Sequence, residues 1–291
     1  MLRAIAWLAC APPAEEAGPS SPGWVRVPGG SFTMGRDGGP HREESPAHRV
    51  TVTGFEMQQT LVTVAAFRAW VDETGFRTSA ERLGFAMVSH EGMDDWAWER
   101  VPGAQWRAPG GPDAPNPQGD DHPVVVVSWR DADAYCSAHG WRLPTEAEWE
   151  YAMRAGSDGT RYPWGDEPVV DGAYRLNFWQ GRDHHRDDRA DGWLYTSPVT
   201  AFPPNARGLY DPVGNTWQWT ADWYAADTYE KDRDGVVDPT GPGDGWAKVA
   251  RGGSWWCSPG ACSAYGLWAR GKSRPDAPYP NNGFRCVRPL S

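Results

Sequence analysis

The chain has 291 residues, with 28 Lys and Arg against 38 Asp and Glu, for a net charge of −10. That balance argues against nucleic-acid binding, which rests on a cationic surface, and no run of about 18 apolar residues offers a membrane span. The 34 Gly and 27 Pro exclude a chain of mostly long helices or strands, while 19 Trp argue against disorder.

At the start, Arg3 precedes a short apolar stretch, Ala4 to Ala9, that ends at Cys10. It has the form of a clipped signal or lipoprotein start; the alternative is a disordered tail or a misassigned start codon. Residues 14–23 are small, acidic and Pro/Ser-rich, a linker composition. A tail over 1–23 and one folded domain over 24–291 are therefore expected. The cytoplasm is the expected compartment, with export the alternative if the first residues act as a signal.

Val25, Val27, Phe32 and Met34 alternate around Pro28-Gly29-Gly30, which predicts a hairpin. Val50 to Val52 and Phe55 predict a further strand. Thr63 is placed to cap a helix with Phe67, Trp70 and Val71 on one face and Gly75 as its stop. From Thr78 to Asp121 little periodicity is visible, so an irregular, Trp-packed excursion is expected. Val124 to Val127 read as a buried strand. Ser128 caps a helix through Ala138, and Thr145-Glu146-Ala147-Glu148 is a capping box opening a helix to Arg154. After that come short strands, best marked at 249–254 and 283–288.

Five cysteines stand at 10, 136, 257, 262 and 286. The odd count leaves at least one unpaired within the chain, and Cys10 is the natural one. Cys257 and Cys262 form a C-x4-C pair. Three uses are open to it: a local disulfide, half of a zinc site, or a two-thiolate site for monovalent copper, which tolerates two-coordinate geometry. The histidines at 41, 48, 90, 122, 139, 184 and 185 make no HxxxH pair. His184 and His185 sit among Arg and Asp and read as a solvated loop.

Nine segments, in order, resemble the formylglycine-generating enzyme (sulfatase-modifying factor) family: Val27 to Gly35, His122 to Val124 with Ser128 and Trp129, Arg142 to Tyr151, Pro163 to Gly165, Asn177 to Gly181, Gly208 to Tyr210, Val213 to Asn215, Arg251 to Ser254 and Gly283 to Cys286. The resemblance implies an α+β, C-type-lectin-like fold with low regular secondary structure. It also implies a copper-dependent oxidase. Cys257 and Cys262, shortly after Gly252-Gly253-Ser254, would hold Cu(I), with Ser254 and Trp217 lining the pocket. O2 and a thiol-containing peptide or small molecule would be the reactants. The substrate thiolate would join the metal, its Cβ would lose a hydrogen, and the resulting thioaldehyde would hydrolyse to a formylglycine-type aldehyde. Cys136 and Cys286 match a family disulfide, while Met153 and Leu267 stand where human-type members have a second one, so an apolar contact is expected there.

The resemblance further implies two structural calcium ions. Asn177 and Asp191, with the carbonyls of Phe178 and Trp193, would hold the first. Asp211 and Gln218, with the carbonyls of Gly214 and Thr216, would hold the second; the family usually has Asn and Glu at 211 and 218. Around the cysteines the chain departs from the family pattern. Ala261 replaces a Tyr, and Ala264 and Gly266 replace Arg, while Trp268 stands where a small residue is usual. Arg270 is retained. With Trp256 and Trp268 as an aromatic wall and Arg270 as a donor, the expected substrate is a thiol other than the sulfatase peptide. Since many proteins of this fold are not enzymes, the alternative is a lectin-like binding or regulatory module in which Cys257 and Cys262 form a disulfide.

Overall fold

A computed structural model describes residues 23–114, 118–260, 262 and 265–290. The expected tail over 1–23 lies, but for Gly23, outside the described residues, as do Cys10, Ala261 and Ala264. The architecture is α+β with short elements. The strand Trp24–Val27 pairs antiparallel with Phe55–Gln58, which also takes Val287–Pro289, so the two ends of the folded chain meet in one sheet. Gly30–Met34 pairs with His48–Val52 in a second sheet. The third sheet runs in the order Arg270–Ser273, Lys248–Arg251, Trp217–Trp223, Asn282–Gly283.

The expected hairpin around Pro28-Gly29-Gly30 does not form. Its two arms pair with different partners, because a Cβ on Gly29 would lie 3.0 Å from Gly54 N, and this close backbone approach turns the chain from one sheet into the next. The predicted strand at 124–127 is also corrected. All four valines are buried, but Val126 takes φ +57, and the amides of Val124 and Val126 donate to Val62 and Tyr279 rather than to a ladder. The Thr78–Asp121 stretch holds more order than its periodicity suggested: a helix, Ser79–Leu83, with a Thr78/Glu81 capping box, and a hairpin, Phe85–Val88 with Glu99–Pro102.

The three capped helices form as read. Thr63 accepts from Ala66 N and Gly75 closes Val64–Thr74 in the left-handed region. Trp129–Ala138 carries the Ser128/Asp131 box, and Glu146–Arg154 the Thr145/Glu148 box. Cys136 and Cys286 are bonded, with Cα atoms 5.8 Å apart, and tie the second of these helices to the C-terminal strand. Met153 and Leu267 are fully buried in one apolar cluster.

Glu146–Arg154 is anchored by charge as well as by apolar packing. Arg251 Nη1 donates to Glu146 at 2.6 Å and its Nη2 to Glu150 at 2.5 Å, with all three side chains buried. Arg270 donates to both oxygens of Glu146 at 2.7 and 2.9 Å. Burial alone would raise the Glu146 carboxyl, but Arg270 and Arg251 outweigh it and hold it at about 2. The cluster locks helix 146–154 to the strands Lys248–Arg251 and Arg270–Ser273.

Candidate active site

The chain leaves the strand Lys248–Arg251 at Arg251, so the charged cluster fixes where the next residues begin. Gly252 and Gly253 follow with φ +93 and +71. A Cβ on Gly252 would also lie 3.0 Å from the Trp149 ring, so glycine is demanded by backbone and by space. The turn then brings Cys257 and Cys262 face to face, their Cα atoms 4.8 Å apart and their sulfurs within bonding distance. Cys257 is buried and Cys262 half-buried. Cys257 N donates to Ser254 O at 2.9 Å, and Trp179 N donates to Cys257 O at 3.1 Å.

Both sulfurs open onto a cavity of about 710 Å³. Trp217 forms one wall, and Gly271 lets it lie there, since a Cβ would come within 2.8 Å of its ring. Ser254 Oγ stands 3.8 Å from Cys257 Sγ and accepts from Asn281 Nδ2 at 3.3 Å, leaving its own proton free for the sulfur. The donors gathered here are two soft sulfurs, and among the described residues no group of three or more His, Cys, Asp or Glu side chains is placed to hold a metal. Two thiolates beside an open cavity suit a low-coordinate soft ion such as Cu(I), not the four ligands of structural zinc. The same two sulfurs, oxidised, suit a disulfide.

Trp256 lines the cavity as expected, but two other expected substrate contacts do not behave as read. Arg270 borders the cavity, yet its guanidinium is buried and spent on Glu146, Glu43 O and Ala225 O. Trp268 lies off the cavity, its ring covered by Arg36 at 4.4 Å. His184 is corrected too. It is not solvated but 1% exposed, with its ring stacked on Trp256 at 3.8 Å. Its Nε2 donates to Trp256 O at 2.8 Å, and its Nδ1 lies 2.8 Å from Asp95 Oδ1, outside hydrogen-bond alignment. His185 is exposed, as read. Sequence reasoning missed Trp96 and Trp98, which reach the cavity from the excursion taken as mere packing. The signal available was two tryptophans beside an Asp-Asp pair, which only a partner at His184 makes meaningful.

The oxygen clusters differ from one another. Asp191 accepts from Phe178 N at 3.1 Å and Trp193 N at 2.9 Å, which brings together three of the four residues expected around the first calcium. Burial raises its carboxyl to about 6, with no ion pair to it among the described residues. Asn177, the fourth, donates to Tyr195 O at 2.7 Å and leaves its oxygen free to face a cation. The Phe178 carbonyl, expected as a ligand, accepts from Gln180 Nε2 instead, so the half-buried Asp191 carboxylate and the Asn177 oxygen are the hard donors left for a cation. At the second cluster, Asp211 is raised to about 7 by burial. Gln218 Oε1, however, accepts from Trp149 Nε1 at 3.0 Å and Arg285 Nε at 2.8 Å, and its Nε2 donates to the Asp211 carbonyl. Arg285 also donates to that carbonyl. The charge facing Asp211 is thus a guanidinium, and Gln218 is committed to protein partners.

The sulfatase-modifying factor enzyme 1-like domain matches residues 10–290. A Streptomyces coelicolor protein named formylglycine-generating enzyme is 44% identical over 296 residues, covering 96% of this chain and 93% of that protein. A Mus musculus protein named inactive C-alpha-formylglycine-generating enzyme 2 is 37% identical over 300 residues, covering 97% and 91%. The solved structure of PvdO from Pseudomonas aeruginosa superposes with a TM-score of 0.69 at 26% identity, covering 92% and 94%. With nearly its whole length matched, the chain belongs to the sulfatase-modifying factor enzyme 1-like family.

Proposed function

We propose that this protein is a formylglycine-generating oxidase, which uses O2 to convert the thiol of a cysteine-type substrate to an aldehyde with Cu(I) held by Cys257 and Cys262. The observation that carries the reading is the facing cysteine pair at the floor of a large cavity. The relatives named formylglycine-generating enzyme support it at the level of the family. When bound, Cu(I) supplies an acceptor for the substrate's sulfur and a path for electrons to O2. Ser254, oriented by Asn281, donates its hydrogen bond to Cys257 and favours the thiolate. Trp217 and Trp256 exclude water while the Cβ is oxidised. Loss of sulfide and gain of the aldehyde oxygen require two further electrons and two protons for each O2, drawn from an external reductant.

Calcium at Asn177 and Asp191 belongs to the same reading, as support for the loop that carries Trp179 against Cys257. The departures at 261, 264 and 266 support a thiol substrate other than the sulfatase peptide, because a Tyr and two Arg that could hold a peptide backbone are gone.

A second reading has its own observation. The sulfurs of Cys257 and Cys262 stand at bonding distance, and a relative of similar length is named inactive. A non-catalytic binding module with a disulfide there would look the same when oxidised. Anaerobic titration of the reduced protein with Cu(I) separates the two. The oxidase reading predicts tight 1:1 binding that is lost in Cys257→Ala and in Cys262→Ala; absence of binding overturns it.

A further inference from the structure

The cavity over the cysteines is far larger than a lone cysteine and falls in the range of about 300–1,000 Å³ typical of sites for sizeable ligands. One side is the strand Arg270–Ser273. It stands at the edge of its sheet and pairs on one side only, so its outer backbone groups are available to an extended chain. The occupant that fits is a peptide carrying the reacting cysteine.

At the mouth stands Trp96, 65% exposed. Its backbone is held at φ +66, in a turn closed by Ala97 N donating to Asp94 O at 3.0 Å. That position is one glycine or asparagine ordinarily takes, and a bulky residue there carries strain. Such strain persists only where the surroundings enforce it, and here they do. Asp95 accepts from His184 N at 3.1 Å, and Gly92 N donates to His184 O at 2.9 Å. His184 in turn is stacked on Trp256, next to Cys257. Trp98 is fixed edge-on to Tyr279, at 4.8 Å. The loop is therefore pinned so that an indole stands in water above the cysteines, a placement that packing within this chain does not explain.

We infer that Trp96, with Trp98 and Tyr279 beside it, is a specificity-determining residue that selects peptides with an apolar or aromatic side chain next to the reacting cysteine. The inference rests on the oxidase reading for what happens to that cysteine, but the selection itself is a binding property. The test is calorimetric titration of reduced, copper-free protein with two short peptides. Both carry Ser in place of the reacting cysteine, flanked by Phe in one and by Gly in the other. Wild-type protein is expected to bind the Phe-flanked peptide about tenfold more tightly. Trp96→Ala should erase the difference while keeping the wild-type melting temperature, since the side chain packs on little, and Trp96→Phe should keep most of it. Equal binding of the two peptides by wild type, no binding of either, or an undiminished preference in Trp96→Ala would overturn the inference. Selective binding without turnover of any thiol would instead sink the oxidase reading alone.

Discussion

Ser254 is a polar side chain within reach of Cys257 Sγ. Asn281 fixes the hydroxyl oxygen at 3.3 Å, so its proton is directed to Cys257 Sγ at 3.8 Å, a normal reach for sulfur. A hydrogen bond to a charged acceptor is worth about 1.5–3 kcal/mol. Ser254→Ala is therefore expected to lower turnover about ten- to a hundredfold and to weaken Cu(I) binding, with stopped-flow oxygen uptake and a competition titration as the measurements. Wild-type values for both would remove Ser254 from the site. Ser254 and Cys257 were legible in the sequence because a fixed Gly-Gly-Ser and C-x4-C spacing carries them. Arg270 was not, because its role depends on Glu146, 124 residues away. A retained arginine looks the same whether it faces a substrate or closes a buried ion pair.

Among the elements, the helix Glu146–Arg154 and the strand ending at Arg251 together set the height of the cysteine loop. Removing one partner of a buried ion pair costs about 3–5 kcal/mol, because the other charge is left without compensation. Arg251→Met still leaves Glu146 to Arg270 and Glu150 to Arg154, so the expected loss in urea denaturation is smaller, about 1.5–3 kcal/mol for the charged hydrogen bonds removed; a change below about 1 kcal/mol would contradict the anchoring role. The same cluster sets an acid limit. Glu146 is held at about 2, below the ordinary carboxylate value, and Glu150 is also lowered. The unfolded chain binds protons there first, so this stability is present above about pH 4.5 and is lost as pH falls toward 2. Thermal melts from pH 6 to pH 3 should show a falling Tm in the wild type and a shallower fall in Arg251→Met.

Which elements could be read from the sequence follows from the range of the interactions that make them. The helices after Thr63, Ser128 and Thr145 were legible because their caps lie within a few residues. The strand Trp217–Trp223 was not read as such. Its tryptophans are ordered by Lys248–Arg251 and Asn282–Gly283, far along the chain, and its ladder to the former is interrupted between Lys248 and Ala250.

On the scale of the whole molecule, an excess of acid is partly turned inward. Asp211 and Asp222 are buried and Asp191 is half-buried, and desolvation raises their carboxyls to about 7, 8 and 6. A cation bound only by the native state stabilises it. If Asn177 and Asp191 hold calcium, adding a chelator should lower the melting temperature by several degrees, and Asp191→Ala should abolish that sensitivity; identical melts with and without chelator would remove the ion from the account. The fold and the cysteine site bear on chemistry only together, since the sheet edge, the aromatic mouth and the sulfur pair come from three separate stretches of chain.

The central claim is that the paired sulfurs support oxidation of a thiol substrate. The most direct measurement is product analysis by mass spectrometry, with oxygen uptake, for copper-loaded protein given a panel from free cysteine to Phe-flanked and Cys-x-Pro-x-Arg peptides. The account predicts copper- and O2-dependent aldehyde with release of sulfide, best on an apolar-flanked peptide, poor on the sulfatase-type peptide and absent in Cys257→Ala. Copper-loaded protein that converts no thiol in the panel, or Cys257→Ala protein that converts them as well as wild type, would contradict it.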